Sequence, residues 1–171
     1  DEIILVCRDE DKEQLNTCVH MAGITKPVIF TLGGTSRQQS VFSGVRACAS
    51  QTEYIIIHDG ARPLVKTEQI AQVIQDASVF GGATLGVPVK DTIKVVNDRL
   101  IVDTPYRPHL YITQTPQVFK RQLYFEAVTF AEEHALDFTD DCQLIEAINC
   151  KVYMTEGDYI NIKITTPEDI A

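Results

Sequence analysis

His58-Asp59-Gly60-Ala61-Arg62-Pro63 puts an acid, a glycine and a base into one short turn. An aspartate can hold a divalent cation, a glycine lets main chain approach a ligand, and an arginine can clasp a phosphate. The turn directly follows the apolar run Tyr54-Ile55-Ile56-Ile57. A β-branched run bounded by a turn predicts a strand buried on both faces of a parallel sheet. Ligands of open α/β sheets sit outside the carboxyl ends of such strands. The same letters also suit an ordinary strand-to-helix turn with a capping aspartate, so other segments must decide.

The elements that would position this turn alternate at βαβ spacing. Strands are predicted over 2–7, 27–31, 54–57 and 81–87, and helices over 9–22, 67–79, 120–134 and 141–149. Short strands follow at 150–154 and 160–164. Ile3-Ile4-Leu5-Val6 reads as a central strand. Ser36-Arg37-Gln38-Gln39 matches a capping box, and the helix it opens puts Val41, Val45 and Cys48 on one apolar stripe. Between Pro88 and Thr113 the helical period vanishes. Val89, Thr92, Ile93, Val95, Val96, Leu100, Ile101 and Val102 are β-prone, with a turn at Asn97-Asp98. This stretch is predicted to be a protruding β-arm whose apolar face needs covering by a second subunit.

The 171 residues, 44% of them hydrophobic, are enough for one substantial core, so a single α/β domain is expected over 1–171, with the arm at 88–113 as a subdomain. No apolar run reaches membrane length and no export signal is visible, which excludes a membrane partner at this stage. A net charge of -9 argues against nucleic acid as a bulk partner, yet leaves local phosphate sites open. Cys7, Cys18, Cys48, Cys142 and Cys150 form an odd set without a C-x-x-C pair, most of them on expected core faces. That pattern points to a reducing, cytoplasmic setting. Both ends read as cut: residue 1 is not methionine, and Thr166-Pro167-Glu168-Asp169 announces a helix just before the sequence stops.

Six segments ask for a common explanation: GGTSRQQSV (33–41), HDGARP (58–63), PVKDTIK (88–94), Arg107 with TQTPQVF (113–119), TDD (139–141) and GDYINIKITTPEDI (157–170). In this order and spacing they resemble the 2-C-methyl-D-erythritol 4-phosphate cytidylyltransferases. Such enzymes transfer CMP from CTP to a sugar-alcohol phosphate in the non-mevalonate isoprenoid pathway. The resemblance implies a Rossmann-like, GT-A-like nucleotidyltransferase fold, with a mixed, mostly parallel sheet flanked by helices. It also exposes a departure. The family's opening strand and glycine-rich loop, with an arginine and a lysine that grip the triphosphate, have no counterpart here, and neither does its closing helix.

Carried over by motif, the resemblance implies that Gly34, Thr35 and Ser40 surround the cytosine and ribose of CTP and that Gly60 lies under the ribose. Asp59 becomes the carboxylate beside Mg²⁺ or another divalent cation, close to the α-phosphate. Arg62, Thr92, Thr115 and Thr139 serve the acceptor. Arg107 and Lys163 act at the reacting phosphates, with the arm residues Thr92 and Arg107 serving the partner subunit of a homodimer. Five have a plainer alternative: a glycine turn for Gly34, an ion pair for Arg62, a solvated loop arginine for Arg107, a helix cap for Thr139 and an exposed strand lysine for Lys163. His58 is expected to support the loop and not to move a proton.

The implied chemistry is in-line attack on the α-phosphorus of CTP, where positioning and charge neutralisation do the catalytic work. Two alternatives stay open. The acceptor could be ribitol 5-phosphate, and the missing glycine-rich loop fits a non-catalytic domain that only binds a ligand or partner.

Overall fold

The computed structural model describes residues 1–170, which divide into two compact units. The first comprises Asp1–Ile55 and Lys120–Cys150; the second comprises Ile56–Phe119 and the chain from Lys151 onward.

In the first unit, β1 (Ile3–Cys7) and β2 (Val28–Leu32) pair in parallel, from Ile3 against Val28 to Cys7 against Leu32. Helix α1 (Lys12–Met21), entered through a 3₁₀ turn at Asp9–Asp11, makes the crossover between them. Helix α2 (Arg37–Arg46) lies against the pair through buried Phe42 and Val45. Gly44 permits that approach, because a Cβ there would stand 2.8 Å from Val6 Cγ2. Helices α4 (Arg121–Glu133) and α5 (Asp141–Ala147) pack on one another. Tyr124, Ala127, Val128 and Ala131 recur at helical spacing and form the buried stripe of α4, with Leu144 and Ile145 buried on α5.

The second unit is built on a four-stranded sheet ordered β3-β7-β4-β8. These are Tyr54–Ile57 (β3, entering at the boundary of the units), Gly82–Pro88 (β4), Tyr111–Lys120 (β7) and Tyr153–Glu156 (β8). Strand β4 runs parallel to β8 and antiparallel to β7. It carries fully buried Ala83 and Leu85, and helix α3 (Thr67–Phe80) covers it with Val73 and Ala77. Gly81 ends α3 at φ 87°, a left-handed cap that favours glycine. The class is mixed α/β, with parallel pairs, one antiparallel insertion and flanking helices.

The arm segment holds a hairpin of β5 (Val95–Asn97) and β6 (Leu100–Asp103), antiparallel, turning through Asp98 and Arg99 at φ 47° and 68°. Val95, Val96, Leu100, Ile101 and Val102 are all exposed. Its return leg runs on into β7, which starts at Tyr111.

Several expectations are corrected. Strand β3 is not buried on both faces, since Ile56 is 47% exposed while Ile55 and Ile57 are buried. Strand β1 has one strand neighbour among the described residues, β2, and Val6 is exposed, so within those residues it stands at a sheet edge. Of the cysteines only Cys142 is buried; Cys18 is exposed and the others are half-buried. Residues 160–164 form no strand, because loop hydrogen bonds such as Asn161 N–H to the Asp158 carbonyl (3.0 Å) take their amides. Strand β7 was not foreseen: Gln114, Thr115, Pro116 and Gln117 read as loop letters, yet all are buried, with a cis bond before Pro116. Among the described residues, no helix is long and apolar enough to cross a membrane.

Candidate active site

The turn after β3 is closed by Arg62 N–H donating to the Asp59 carbonyl at 2.9 Å. It aims the Asp59 carboxylate at two cations. Lys163 Nζ lies 3.0 Å from Asp59 Oδ2, and Arg62 Nε lies 3.6 Å from the same oxygen. Arg62 and Asp59 are mostly buried, whereas the Lys163 side chain keeps 42% of its exposure. A half-open ammonium beside a sheltered carboxylate can turn to an incoming anion at small cost.

Lys163 is brought there by main-chain ties. Ile164 N–H donates to the Ala61 carbonyl at 2.8 Å, and Arg62 Nη1 donates to the Asn161 carbonyl at 2.8 Å. Asn161 is fully buried, its Nδ2 donating to the Thr115 carbonyl at 3.0 Å. Gln114 Nε2 donates to the Asp158 carbonyl at 2.8 Å. Further along, Gly157 N–H meets the Gly86 carbonyl at 2.8 Å, and a Cβ on Gly157 would come within 3.1 Å of Gly86 main chain, so this crossing needs glycine. Strand β7 thus stitches the 157–163 loop to the turn after β3.

Thr115 joins the same group, its Oγ1 accepting the Asp59 amide at 3.0 Å. Gly60 is exposed, with open space where a Cβ would stand. Thr92 and Arg107 lie on the arm segment instead. Thr92 is exposed, and Arg107 Nη1 donates to the Lys90 carbonyl at 2.9 Å.

Gly34, Thr35, Ser40 and Thr139 belong to the first unit. Ser36 caps α2 by accepting the Gln39 amide at 3.2 Å. The reciprocal half of the expected capping box shifts by one residue: Gln39 Oε1 takes the Thr35 amide at 3.0 Å and the Thr35 hydroxyl at 2.7 Å. Ser40 Oγ accepts the Gly34 amide at 3.0 Å and donates to the Ser36 carbonyl at 2.9 Å. A Cβ on Gly34 would collide with the Gln39 side chain, so glycine is required there too.

Two contacts unforeseen from the sequence bring Thr139 beside this loop. Gln38 bonds the Leu136 carbonyl and the Phe138 amide, each at 2.8 Å. Arg37 Nη2 meets Asp141 Oδ2 at 2.7 Å, while the Tyr124 hydroxyl donates to Asp141 Oδ1 at 2.5 Å. Burial and the Asp141 charge push the Tyr124 hydroxyl far above its ordinary pKa, so it stays a donor. Thr139 itself donates to Gln143 Oε1 at 3.1 Å, and Asp140 caps α5 by accepting the Gln143 amide at 2.9 Å. The sequence signal for Gln114, Asn161, Arg37 and Asp141 was weak, because a polar letter does not announce its own burial.

A metal has limited options here. Among the described residues no group of three or more His, Cys, Asp or Glu could hold an ion. A lone carboxylate nevertheless suits Mg²⁺, which keeps waters and takes one or two carboxylates together with substrate phosphates.

Comparison with known proteins points to one family. The family model of IspD, 2-C-methyl-D-erythritol 4-phosphate cytidylyltransferase, matches residues 1–171. The 2-C-methyl-D-erythritol 4-phosphate cytidylyltransferase of Desulforamulus reducens is 48% identical over 139 residues, covering 81% of this chain and 59% of that protein. The one from Caldanaerobacter subterraneus subsp. tengcongensis is 46% identical over 171 residues, covering 99% of this chain and 75% of that protein. The crystal structure of 4-diphosphocytidyl-2C-methyl-D-erythritol synthase from Anaerococcus prevotii superposes with a TM-score of 0.92 at 34% identity, covering 99% of this chain and 75% of that one. The chain therefore spans between about three fifths and three quarters of these relatives. On a match that runs its whole length, the chain belongs to the 2-C-methyl-D-erythritol 4-phosphate cytidylyltransferase family.

Proposed function

We propose that this chain transfers CMP from CTP to 2-C-methyl-D-erythritol 4-phosphate, releasing pyrophosphate. The observation that carries the reading is the Asp59 carboxylate between Lys163 Nζ at 3.0 Å and Arg62 Nε at 3.6 Å. A phosphate oxygen of the acceptor attacks the α-phosphorus, forming the new P–O bond. The bond to the bridging oxygen of the β-phosphate breaks, and pyrophosphate departs with that electron pair. The attacking monoester is already an anion near neutral pH, so no general base is needed.

Lys163 swings from Asp59 to the phosphates and neutralises the charge that develops there. Arg62, rigidly tied to the Asn161 carbonyl, holds the acceptor side with Thr115 and Thr139. Gly34, Thr35, Ser40 and Gly60 line the nucleoside, where missing Cβ atoms let main chain approach the base and ribose. Asp59 would hold a Mg²⁺ ion, which supplies charge neutralisation across the phosphate oxygens when bound.

The exposed apolar hairpin supports a homodimer in which Thr92 and Arg107 of one copy reach the site of the other. An odd cysteine set without pairs supports a cytoplasmic location. The test is pyrophosphate release from CTP and Mg²⁺ with each of two acceptors. Turnover that prefers 2-C-methyl-D-erythritol 4-phosphate is the expected result. Preference for ribitol 5-phosphate would change the substrate, and no turnover with either would reduce the chain to a binding domain.

A further inference from the structure

The ring of His58 closes a frame that the reaction scheme above leaves unused. A carbonyl can only accept, so the ring nitrogen 3.1 Å from the Arg62 carbonyl, Nε2, carries the proton. A neutral imidazole protonated there has a bare Nδ1, and this atom lies 3.0 Å from Thr115 Oγ1. The Thr115 hydroxyl must then donate to Nδ1. Its oxygen accepts the Asp59 amide at 3.0 Å, and the Arg62 amide returns to the Asp59 carbonyl at 2.9 Å. The directions form one consistent circuit: Asp59 amide to Thr115, Thr115 to His58, His58 to the Arg62 carbonyl. Thr115 is 4% exposed and its own carbonyl is pinned by buried Asn161, so the circuit has a rigid side on β7.

We propose that His58 is a positioning residue for the transfer, fixing through Thr115 the peptide plane from which the Asp59 carboxylate projects. This rests on the role given to Asp59 above. Of the four main-chain atoms that set the Asp59 turn, the Asp59 amide is then held by one hydroxyl and the Arg62 carbonyl by one imidazole, while the Arg62 amide and the Asp59 carbonyl bond each other. A second consequence concerns specificity. The Thr115 proton is committed to His58, so Thr115 has only a lone pair left for a ligand. A hydroxyl of the acceptor polyol can use that lone pair; a phosphate oxygen cannot.

The variants separate the two ends of the ring. His58→Asn keeps an acceptor near the Nδ1 position, His58→Gln keeps a donor near the Nε2 position, and His58→Leu removes both. By ¹⁵N NMR the neutral His58 should carry its proton on Nε2, and Thr115→Val should move the Nδ1 resonance while His20, His109 and His134 stay put. His58→Leu should lower kcat about tenfold to a hundredfold, as a small misplacement of a reacting group does, with little change in KM for CTP. His58→Asn should recover most of that loss, and the pair His58→Leu, Thr115→Val should be no worse than the poorer single variant. A proton on Nδ1, unchanged kcat in His58→Leu, or losses that simply multiply would overturn the proposal. An unaltered protein that turns over no CTP would overturn it together with the transfer itself, and the NMR pattern would then tell a sound frame lacking a reaction from no frame at all.

Discussion

Asp59 answers to two cations within 3.6 Å, and only one of them is free to move. Arg62 is mostly buried and tied to main chain, whereas Lys163 is half in solvent. A pair whose ammonium is half in solvent adds little to stability, because solvent screens it and ordering a lysine costs entropy, and Arg62 still faces the Asp59 carboxylate. Lys163→Ala should therefore leave the thermal midpoint nearly unchanged while cutting kcat roughly a hundredfold to a thousandfold, the range for losing one charge-stabilising donor. Calorimetric melting beside steady-state kinetics checks this; parallel losses of stability and turnover would make Lys163 structural. At this scale the sequence was informative about Asp59, Gly60 and Arg62, whose types and spacing share one turn. It was silent on the contact between Lys163 and Asp59, which depends on Gln114 and Asn161 being buried between their loops.

The loop 157–163 is the element that matters most, and it is fastened at both ends. At one end Gly157 crosses the Gly86 main chain and Lys66 Nζ meets Asp158 Oδ2 at 2.6 Å; at the other, Ile164 N–H donates to the Ala61 carbonyl at 2.8 Å. The Lys66 ammonium, helped by the Ile160 amide, holds the Asp158 carboxyl below its usual range, and Asp158 raises Lys66 in return. The depressed carboxyl contributes above its ordinary value near pH 4 and fails as pH falls through the lowered one. The raised ammonium contributes below its ordinary value near pH 10 and fails as pH climbs through the raised one. Amide protection at Tyr159 and Ile160, taken relative to the intrinsic exchange rate at each pH, should accordingly be greatest between about pH 4 and pH 10 and fall below that window. Flat behaviour across the acid limb would show that the bridge does not hold the loop. Helices here were legible because apolar residues at three- and four-residue spacing must face a core, as Tyr124 to Ala131 do on α4. Strand β7 was not, since Gln114, Thr115 and Gln117 point their polar ends at partners inside the fold and Pro116 mimics a break.

For the molecule as a whole, the hairpin β5–β6 is the feature that a single chain leaves unexplained. Five β-branched or leucine side chains stand exposed on it, Val95, Val96, Leu100, Ile101 and Val102, and such a surface needs a cover. Light scattering at micromolar concentration should give a dimer, and Ile101→Asp should give a monomer with its fold intact and its turnover lost. A monomeric, active parent would remove the arm from the reaction. The family was legible in the order of six motifs, none sufficient alone, and the match over 1–171 bears that reading out. The most direct test of the whole account is ³¹P NMR of the protein mixed with CTP, 2-C-methyl-D-erythritol 4-phosphate and Mg²⁺. The acceptor's monoester signal should give way to a coupled diphosphate pair as free pyrophosphate accumulates, and Asp59→Asn should slow this by orders of magnitude. Spectra that never change, or a product that forms as fast without the Asp59 carboxylate, would contradict it.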